Sequence, residues 1–166
     1  MTPNFHTAFE HLIGIEGGYV NDPTDRGGET KYGISKKAYP NLDIRNLTLD
    51  GAKAIYYRDY WQKLKLDEIP SYHIAAELFD TGVNMGIGVA SRFLQQALNL
   101  MNRNQQNFPD LIVDGVIGAN TLNAYRKVDT KILLKVLNGL QFSRYVDIVT
   151  KNPSQEKYFN GWMQRV

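Results

Sequence analysis

Residues 16–35 read EGGYVNDPTDRGGETKYGIS, and the rest of the chain is organised around this polar, glycine-rich loop. Just before the loop, Phe5, Phe9 and Leu12 recur at spacings of four and three residues. This spacing places the three apolar side chains on one face, so it predicts a short amphipathic helix that leads directly into the loop.

The predicted ends of this helix determine where Glu16 is expected. Thr2 followed by Pro3 is a typical helix start, and Gly17-Gly18 predicts the helix end. Glu16 would then lie in the last turn, on the apolar side. Partial burial and the negative end of the helix dipole both disfavour an ionised carboxylate there, and a carboxyl group that keeps its proton can act as a general acid. The alternative is a solvated Glu16, or one paired with Arg26.

The loop after Glu16 carries further polar groups at suggestive intervals. Asp25 follows Glu16 at nine residues and Thr30 follows it at fourteen, and Gly27-Gly28 allows the chain to reverse between them. An acid, a second carboxylate and a hydroxyl on one returning loop can therefore face each other across a cleft.

The motifs EGGYVNDP (residues 16–23) and DRGGETKYGIS (residues 25–35) resemble the N-terminal signature of the glycoside hydrolase family 108 muramidases. The loop also resembles the Glu…Asp…Thr arrangement of phage-type lysozymes, although its last gap is one residue shorter. The family resemblance implies that Glu16 is the catalytic acid. It also implies a lysozyme-like fold and an activity on the glycan strands of peptidoglycan.

Other residues are candidates for supporting roles at the same site. Asp25 is the first candidate for the group that orients water or stabilises the developing positive charge, and Asp22 is the second. Thr30 is a candidate to hold the water. The candidate substrate contacts are Tyr19, Asn21, Tyr32, Asp80 and Asn84. For Asp80 and Asn84, which are four residues apart on a predicted helix, a solvated helix face is the alternative interpretation.

The second half of the chain carries a separate resemblance. The segment LQQALN (residues 94–99), followed by Asp114-Gly115, Gly118 and Thr121, resembles the predicted peptidoglycan-binding region that commonly follows the muramidase half. Side chains that satisfy loop amides are the alternative explanation of the same pattern. We therefore divide the chain into a muramidase region, residues 1–86, and a helical peptidoglycan-binding region, residues 87–166.

The apolar periodicity predicts a mainly α-helical fold, and the family resemblance implies that this fold is lysozyme-like. Thr48, Ser71 and Asp129 are expected at helix starts, and the last of these helices should bury a wide apolar face that includes Ile132 and Val146. No long alternating strand is present, so residues 32–34 and 111–113 should form short β-pairings at most. Trp61 is expected to be a packing anchor at a helix end, with a sugar platform as the alternative.

Composition excludes several classes of function. The 166 residues carry a net charge of +2 without a dense Lys/Arg cluster, which does not indicate nucleic-acid binding. The chain has no cysteine, which excludes disulfides and zinc-thiolate sites. Its three histidines do not share a metal-binding spacing, so no metal or other cofactor is expected. We expect a monomer.

The N-terminus lacks a basic region followed by an apolar run, and no apolar stretch is long enough to cross a membrane. We therefore expect synthesis in the cytoplasm and action in the periplasm or at the cell wall, after holin-like or other export. The predicted activity is cleavage of the β-1,4 bond between N-acetylmuramic acid and N-acetylglucosamine. Two alternatives remain: a non-catalytic wall-binding or secretion-assisting protein, and a hydrolase of another amino-sugar polymer such as chitin.

Overall fold

Apolar side chains at helical spacing form helices along most of the chain. The computed structural model describes residues 1–14, 18–21 and 28–166. Within these residues it contains seven α-helices and a single antiparallel pair of two-residue strands. The prediction of a mainly α fold with very short β-pairing is confirmed. The chain divides into two compact units, Met1–Gln62 and Lys63–Val166, which are described separately below.

The described residues of the first unit form two α-helices and the strand pair. In chain order its elements are α1 (Pro3–Ile13), β1 (Thr30–Lys31), β2 (Ile34–Ser35), α2 (Leu49–Tyr56) and a π-helical turn (Tyr57–Trp61). Thr48 begins α2 as predicted, because its hydroxyl accepts a hydrogen bond from the Gly51 N–H at 3.1 Å.

The second unit contains five α-helices joined by short turns. Its α-helices are α3 (Tyr72–Met85), α4 (Ile87–Met101), α5 (Ala119–Tyr125), α6 (Thr130–Lys151) and α7 (Glu156–Trp162). Three 3₁₀ turns lie at Leu66–Glu68, Pro153–Gln155 and Met163–Arg165. The Asp129 carboxylate caps α6 by accepting hydrogen bonds from the Lys131 and Ile132 N–H groups, at 2.7 and 3.1 Å.

The end of α1 differs from its prediction. The helix starts at Pro3 as expected, but it ends at Ile13 instead of at Gly17-Gly18. Gly14 has a φ of +58°, a left-handed conformation that stops the helix and that glycine adopts without strain. Glu16, which was expected in the last helical turn, lies outside the described residues.

An aromatic cluster forms the core of the first unit. Phe5 and Trp61 are both fully buried, and their ring centroids lie 5.3 Å apart in an edge-to-face arrangement. Phe9 makes a similar contact with Tyr56 at 5.7 Å. Trp61 is therefore a packing anchor at the end of a helical segment, as expected from the sequence.

In the second unit, α4 packs on α3, α5 and α6. The buried face of α6 is narrower than predicted: Ile132 and Val146 are 54% and 39% exposed. The residues of α6 that are buried recur every four positions, which gives a single stripe: Leu133, Leu137, Gln141 and Tyr145. A helix that packs through one stripe leaves its flanking aliphatic residues in water.

Residues 111–113 do not form a strand, which agrees with the expectation of short β-pairing at most. Side-chain amides of α4 satisfy the backbone of this loop instead. The Gln95 amide donates to the Asp114 carboxylate at 2.8 Å, and the Gly115 N–H donates to the Gln95 carbonyl oxygen at 2.9 Å. The interpretation of the Asp-Gly pattern as a device that satisfies loop amides is confirmed. Across the described residues, no helix combines the length and apolar character needed to cross a bilayer.

Candidate functional site

A tight hairpin positions several of the predicted site residues. Lys31 pairs with Ile34, and the two residues between them, Tyr32 and Gly33, have φ values of +51° and +73°. Two successive positive φ values are typical of the type I′ turn that joins short antiparallel strands. The Tyr56 hydroxyl donates a hydrogen bond to the Tyr32 carbonyl at 3.0 Å, which anchors the turn to α2.

Besides its positive φ, Gly33 is favoured at this turn because little space separates it from α2. A Cβ atom at position 33 would lie 2.5 Å from the Tyr56 hydroxyl oxygen, which is closer than any real contact. The turn can therefore approach α2 only because residue 33 has no side chain. Gly33 in this sequence motif therefore has a structural role.

A β-bridge closes the glycine-rich loop at its base. Val20 and Thr30 exchange two backbone hydrogen bonds, each of 2.8 Å. This bridge brings Tyr19 and Asn21 next to the hairpin that contains Thr30 and Tyr32. These four predicted site residues therefore lie in one part of the first unit. The Thr30 hydroxyl donates to the Gly28 carbonyl at 3.3 Å. Its proposed role in holding water stays a prediction.

Tyr19 is at the centre of a polar cluster. Its hydroxyl donates to Glu29 Oε1 at 2.9 Å, and the Arg45 guanidinium lies over its ring, 5.9 Å from the centroid. The pKa of Tyr19 is raised, first by loss of water around the hydroxyl and then by the hydrogen bond to Glu29 and that carboxylate's charge; Arg45 and a hydrogen bond with the Asn21 side chain lower it. The hydroxyl therefore stays protonated at neutral pH and remains a hydrogen-bond donor.

Sequence reasoning missed Glu29 and Arg45. Glu29 comes close to Tyr19 through the Val20–Thr30 pairing, a contact that the spacing of ten residues does not reveal. Arg45 lies in an irregular segment without helical or strand periodicity. Lys31 joins the same surface, because its ammonium donates to the Arg45 carbonyl at 3.0 Å and lies 5.5 Å from the Tyr32 ring centroid.

This surface combines aromatic rings with charged and amide groups. Tyr rings can stack on the faces of sugars, while amide, carboxylate and guanidinium groups can exchange hydrogen bonds with sugar hydroxyl and acetamido groups. The arrangement is therefore suited to binding a carbohydrate. Within residues 1–14, 18–21 and 28–166, no three His, Asp or Glu side chains are grouped so that they could hold a metal ion.

The predicted catalytic carboxylates Glu16 and Asp25, and the second candidate Asp22, lie outside the described residues. Their roles stay predictions. The described residues closest to them in sequence, Gly14, Gly18, Asn21 and Gly28, flank these positions on both sides.

Asp80 and Asn84 both lie on α3 in the second unit. The Asp80 carboxylate is 23% exposed and forms an ion pair with Arg165. The Asn84 amide donates to the Asp80 carbonyl at 2.8 Å, within the same helix. Asp80 thus has a structural partner that the sequence did not indicate, and a substrate contact by either residue stays a prediction.

A second acidic residue on α3, Glu77, was also missed by sequence reasoning. Burial and, to a smaller extent, the nearby charge of Asp80 raise the pKa of Glu77 to about 7, and a hydrogen bond with Thr81 opposes the shift. The Thr81 hydroxyl donates to Glu77 at 3.3 Å and accepts from the Gln141 amide at 3.3 Å. Glu77 therefore belongs to a polar cluster that joins α3 to α6.

We expect Glu77 to make stability depend on pH. Its pKa is about 7 in the folded state, whereas the ordinary value of 4.5 applies in the unfolded state. Between these values the folded state keeps a proton that the unfolded state releases, so the free energy of unfolding falls as pH rises from 4.5 to 7. The fall caused by this group is at most about 3 kcal/mol. Urea unfolding of the wild type and of Glu77→Gln across this range would measure it.

The Glu77→Gln variant should lack this slope, because glutamine does not titrate. Asp80 belongs to the same cluster and burial raises its pKa, so its titration contributes to the remaining dependence. Glu156→Gln, at an exposed position on α7, is the matched control and should keep the wild-type slope. Identical pH profiles for wild type and Glu77→Gln would contradict the expected effect.

Comparisons with known proteins agree with the two halves seen in the sequence. The Glycosyl hydrolase 108 family matches residues 9–86, and the Predicted Peptidoglycan domain matches residues 89–166. Among solved structures, that of Brucella abortus SagA is similar to this chain, with a TM-score of 0.74 and 27% sequence identity. The similarity covers 97% of this chain and 88% of that chain. A search of curated proteins gave no match.

The two family matches confirm both resemblances that the sequence suggested. The first match includes the whole glycine-rich loop and the hairpin, and the second includes α4 and the amide-held loop that follows it. The chain is therefore a peptidoglycan hydrolase in which residues 9–86 belong to the glycosyl hydrolase 108 family and residues 89–166 belong to the predicted peptidoglycan domain family.

Proposed function

We propose that this protein is an N-acetylmuramidase, which hydrolyses the β-1,4 bond between N-acetylmuramic acid and N-acetylglucosamine with Glu16 as general acid. The observation that carries this proposal is the glycosyl hydrolase 108 match over residues 9–86, which contains Glu16 and the whole loop. The carbohydrate-suited surface around Tyr19 supports it, because this surface lies at the base of the same loop.

In the proposed reaction, Glu16 donates its proton to the glycosidic oxygen as the bond to the anomeric carbon breaks. Positive charge develops on the sugar, and Asp25, or alternatively Asp22, stabilises that charge or orients the attacking water. Water adds to the anomeric carbon and its proton passes to a carboxylate, so that the products carry one added water. Thr30 helps to hold that water before attack.

The substrate contacts in this proposal lie on the described hairpin and on the segment bridged to it. Tyr19 provides a ring and a hydroxyl donor, Asn21 an amide and Tyr32 a second ring. Glu29 fixes the Tyr19 hydroxyl through its 2.9 Å hydrogen bond and thereby acts as a positioning residue. Peptidoglycan lies outside the cytoplasmic membrane, so we propose that the protein acts in the periplasm or at the cell wall after export.

A digest of purified Gram-negative sacculi, analysed by mass spectrometry, tests the bond and the reaction together. Muramidase action should release fragments with N-acetylmuramic acid at the reducing end. Fragments with reducing-end N-acetylglucosamine would show that the other glycosidic bond is cleaved. A product lighter by one water would show an intramolecular reaction in place of hydrolysis.

Two further outcomes correspond to the alternative functions. Binding to sacculi without release of reducing ends would indicate a non-catalytic wall-binding or secretion-assisting protein. Cleavage of chitin oligomers without cleavage of sacculi would indicate a hydrolase of a different amino-sugar polymer. Either result would overturn the muramidase proposal, and the same purified protein serves for all three assays.

A further inference from the structure

The second unit contains an open cavity of about 550 Å³ beside the loop that joins α4 to α5. Its volume is within the range of about 300–1,000 Å³ that is typical of small-ligand sites. Residues from the loop form one wall, and α5 contributes Asn120 and Asn123 to the other. All of these residues lie in the described part of the chain and within the predicted peptidoglycan domain.

The loop wall is held in shape by hydrogen bonds from α4. The Asn99 amide donates to the Leu111 carbonyl at 2.9 Å, and the Leu111 N–H donates back to Asn99 at 2.7 Å. The Asn102 amide donates to the Asp110 carboxylate at 2.6 Å, and Gln95 binds both sides of the Asp114 turn. The cavity is therefore built before any ligand arrives, which lowers the entropic cost of binding.

Two aliphatic side chains on this loop are exposed without a packing role. Ile112 is 83% exposed and Val116 is 65% exposed, and both line the cavity. The hydrogen bonds of the loop keep these side chains at its surface. Two aliphatic groups held in water on a rigid frame next to a cavity are a typical arrangement for binding a ligand.

The chemistry of the lining favours a peptide over a sugar. Of the cavity's lining residues, the sole aromatic one is Phe108, which is 6% exposed and offers little ring surface for stacking on a sugar. The cavity instead combines exposed aliphatic groups with side-chain amides, which suit the methyl groups and amide bonds of a short peptide. Asp110, Asp114 and Lys127 add two carboxylates and one ammonium group.

We propose that this cavity binds the peptide stem of peptidoglycan. Such stems combine alanine methyl groups, free carboxylates and a diamino acid whose side chain carries an ammonium group. The methyl groups fit Ile112 and Val116, a stem carboxylate fits Lys127, and the ammonium fits Asp110. This assignment rests on peptidoglycan as the partner, but it does not depend on which glycosidic bond the first half cleaves.

Binding of a free stem tetrapeptide to the full-length protein tests the proposal. The tetrapeptide contains no glycosidic bond, so it is not consumed, and chitotetraose serves as a glycan without peptide. We expect the tetrapeptide to shift the NMR signals of Ile112, Val116, Asn120 and Asn123, and calorimetry to show saturable binding. Chitotetraose should leave these four signals unchanged, even if it binds elsewhere.

Variants at the exposed positions make the test specific. Ile112→Asn combined with Val116→Asn should weaken tetrapeptide binding by about tenfold, because it removes both aliphatic contacts. Leu100→Asn is the matched control, since Leu100 is 72% exposed in the same unit and does not line the cavity. Lys127→Gln should weaken binding of a tetrapeptide with a free carboxylate more than binding of its amidated form.

Three results would overturn the proposal. The first is that the tetrapeptide shows no saturable binding, and the second is that chitotetraose shifts the NMR signals of the cavity residues. The third is that Leu100→Asn weakens tetrapeptide binding as much as the double variant does. Each is distinguishable from failure of the proposed muramidase activity, because that activity is read from sacculus digestion and this one from binding of an uncleaved peptide. The substituted residues are exposed, so the variants should remain folded, and circular dichroism would confirm this.

Discussion

Replacing Glu16 with Gln is expected to reduce the rate of peptidoglycan clearing by about 10²–10⁴-fold while the protein stays folded. Glutamine has nearly the same shape as glutamic acid, but it has no acidic proton to donate to the glycosidic oxygen. The loss should appear mainly in kcat, because the proton is transferred in the transition state and not during substrate binding. Turbidity clearing of sacculi at several substrate concentrations would measure it.

Glu10→Gln provides the control for this experiment. Glu10 is exposed on α1 and lies six residues before Glu16, so its substitution should leave clearing unchanged. Circular dichroism of both variants would establish that the fold is retained. Equal clearing by Glu16→Gln and the wild type would remove Glu16 from the catalytic role and leave Asp25 as the first residue to test.

Trp61→Ala should lower the free energy of unfolding by about 3–5 kcal/mol, the typical cost of emptying a buried aromatic site. Trp61 is fully buried, and its ring contacts Phe5 edge to face at 5.3 Å, so its removal leaves a cavity in the aromatic core of the first unit. Urea titration followed by circular dichroism would measure the loss. Clearing activity should fall with the folded fraction.

Trp61→Phe is the conservative comparison and should cost less, because a phenyl ring fills part of the same space. The chain has two tryptophans, and the second, Trp162, stacks on Tyr145 at 4.9 Å in the second unit. In Trp61→Ala, tryptophan fluorescence therefore reports on the second unit alone. A folded Trp61→Ala protein of wild-type stability that loses only substrate affinity would instead support the sugar-platform interpretation.

Periodicity was a reliable guide to the helices of this chain. The helix starts marked by Pro3, Thr48 and Asp129 all appear in the structure, because local rules of capping and proline geometry decide them. The end of α1 was not predictable in the same way, since two glycine sites compete. Gly14 takes the left-handed conformation, and nothing local distinguishes it in advance from Gly17.

The partners of the site residues were harder to predict, because they come from distant parts of the sequence. Glu29 reaches Tyr19 through a β-bridge, and Arg165 reaches Asp80 across 85 positions of sequence. Glu77 has no unusual sequence neighbours, and only burial beside Asp80 raises its pKa. Spacing along the chain describes contacts within one element, whereas these contacts depend on how elements pack.

The amide side chains that α4 extends to the next loop have a consequence for how related chains can diverge. Hydrogen bonds from two α4 side chains, Gln95 and Asn99, hold the shape of that loop, and Asn102 adds another from the residue that follows the helix. Positions 112 and 116 are therefore free to change their chemistry while the backbone that displays them stays the same. If the cavity binds the peptide stem as proposed, exchanging these two side chains would change its ligand preference without changing the loop that displays them.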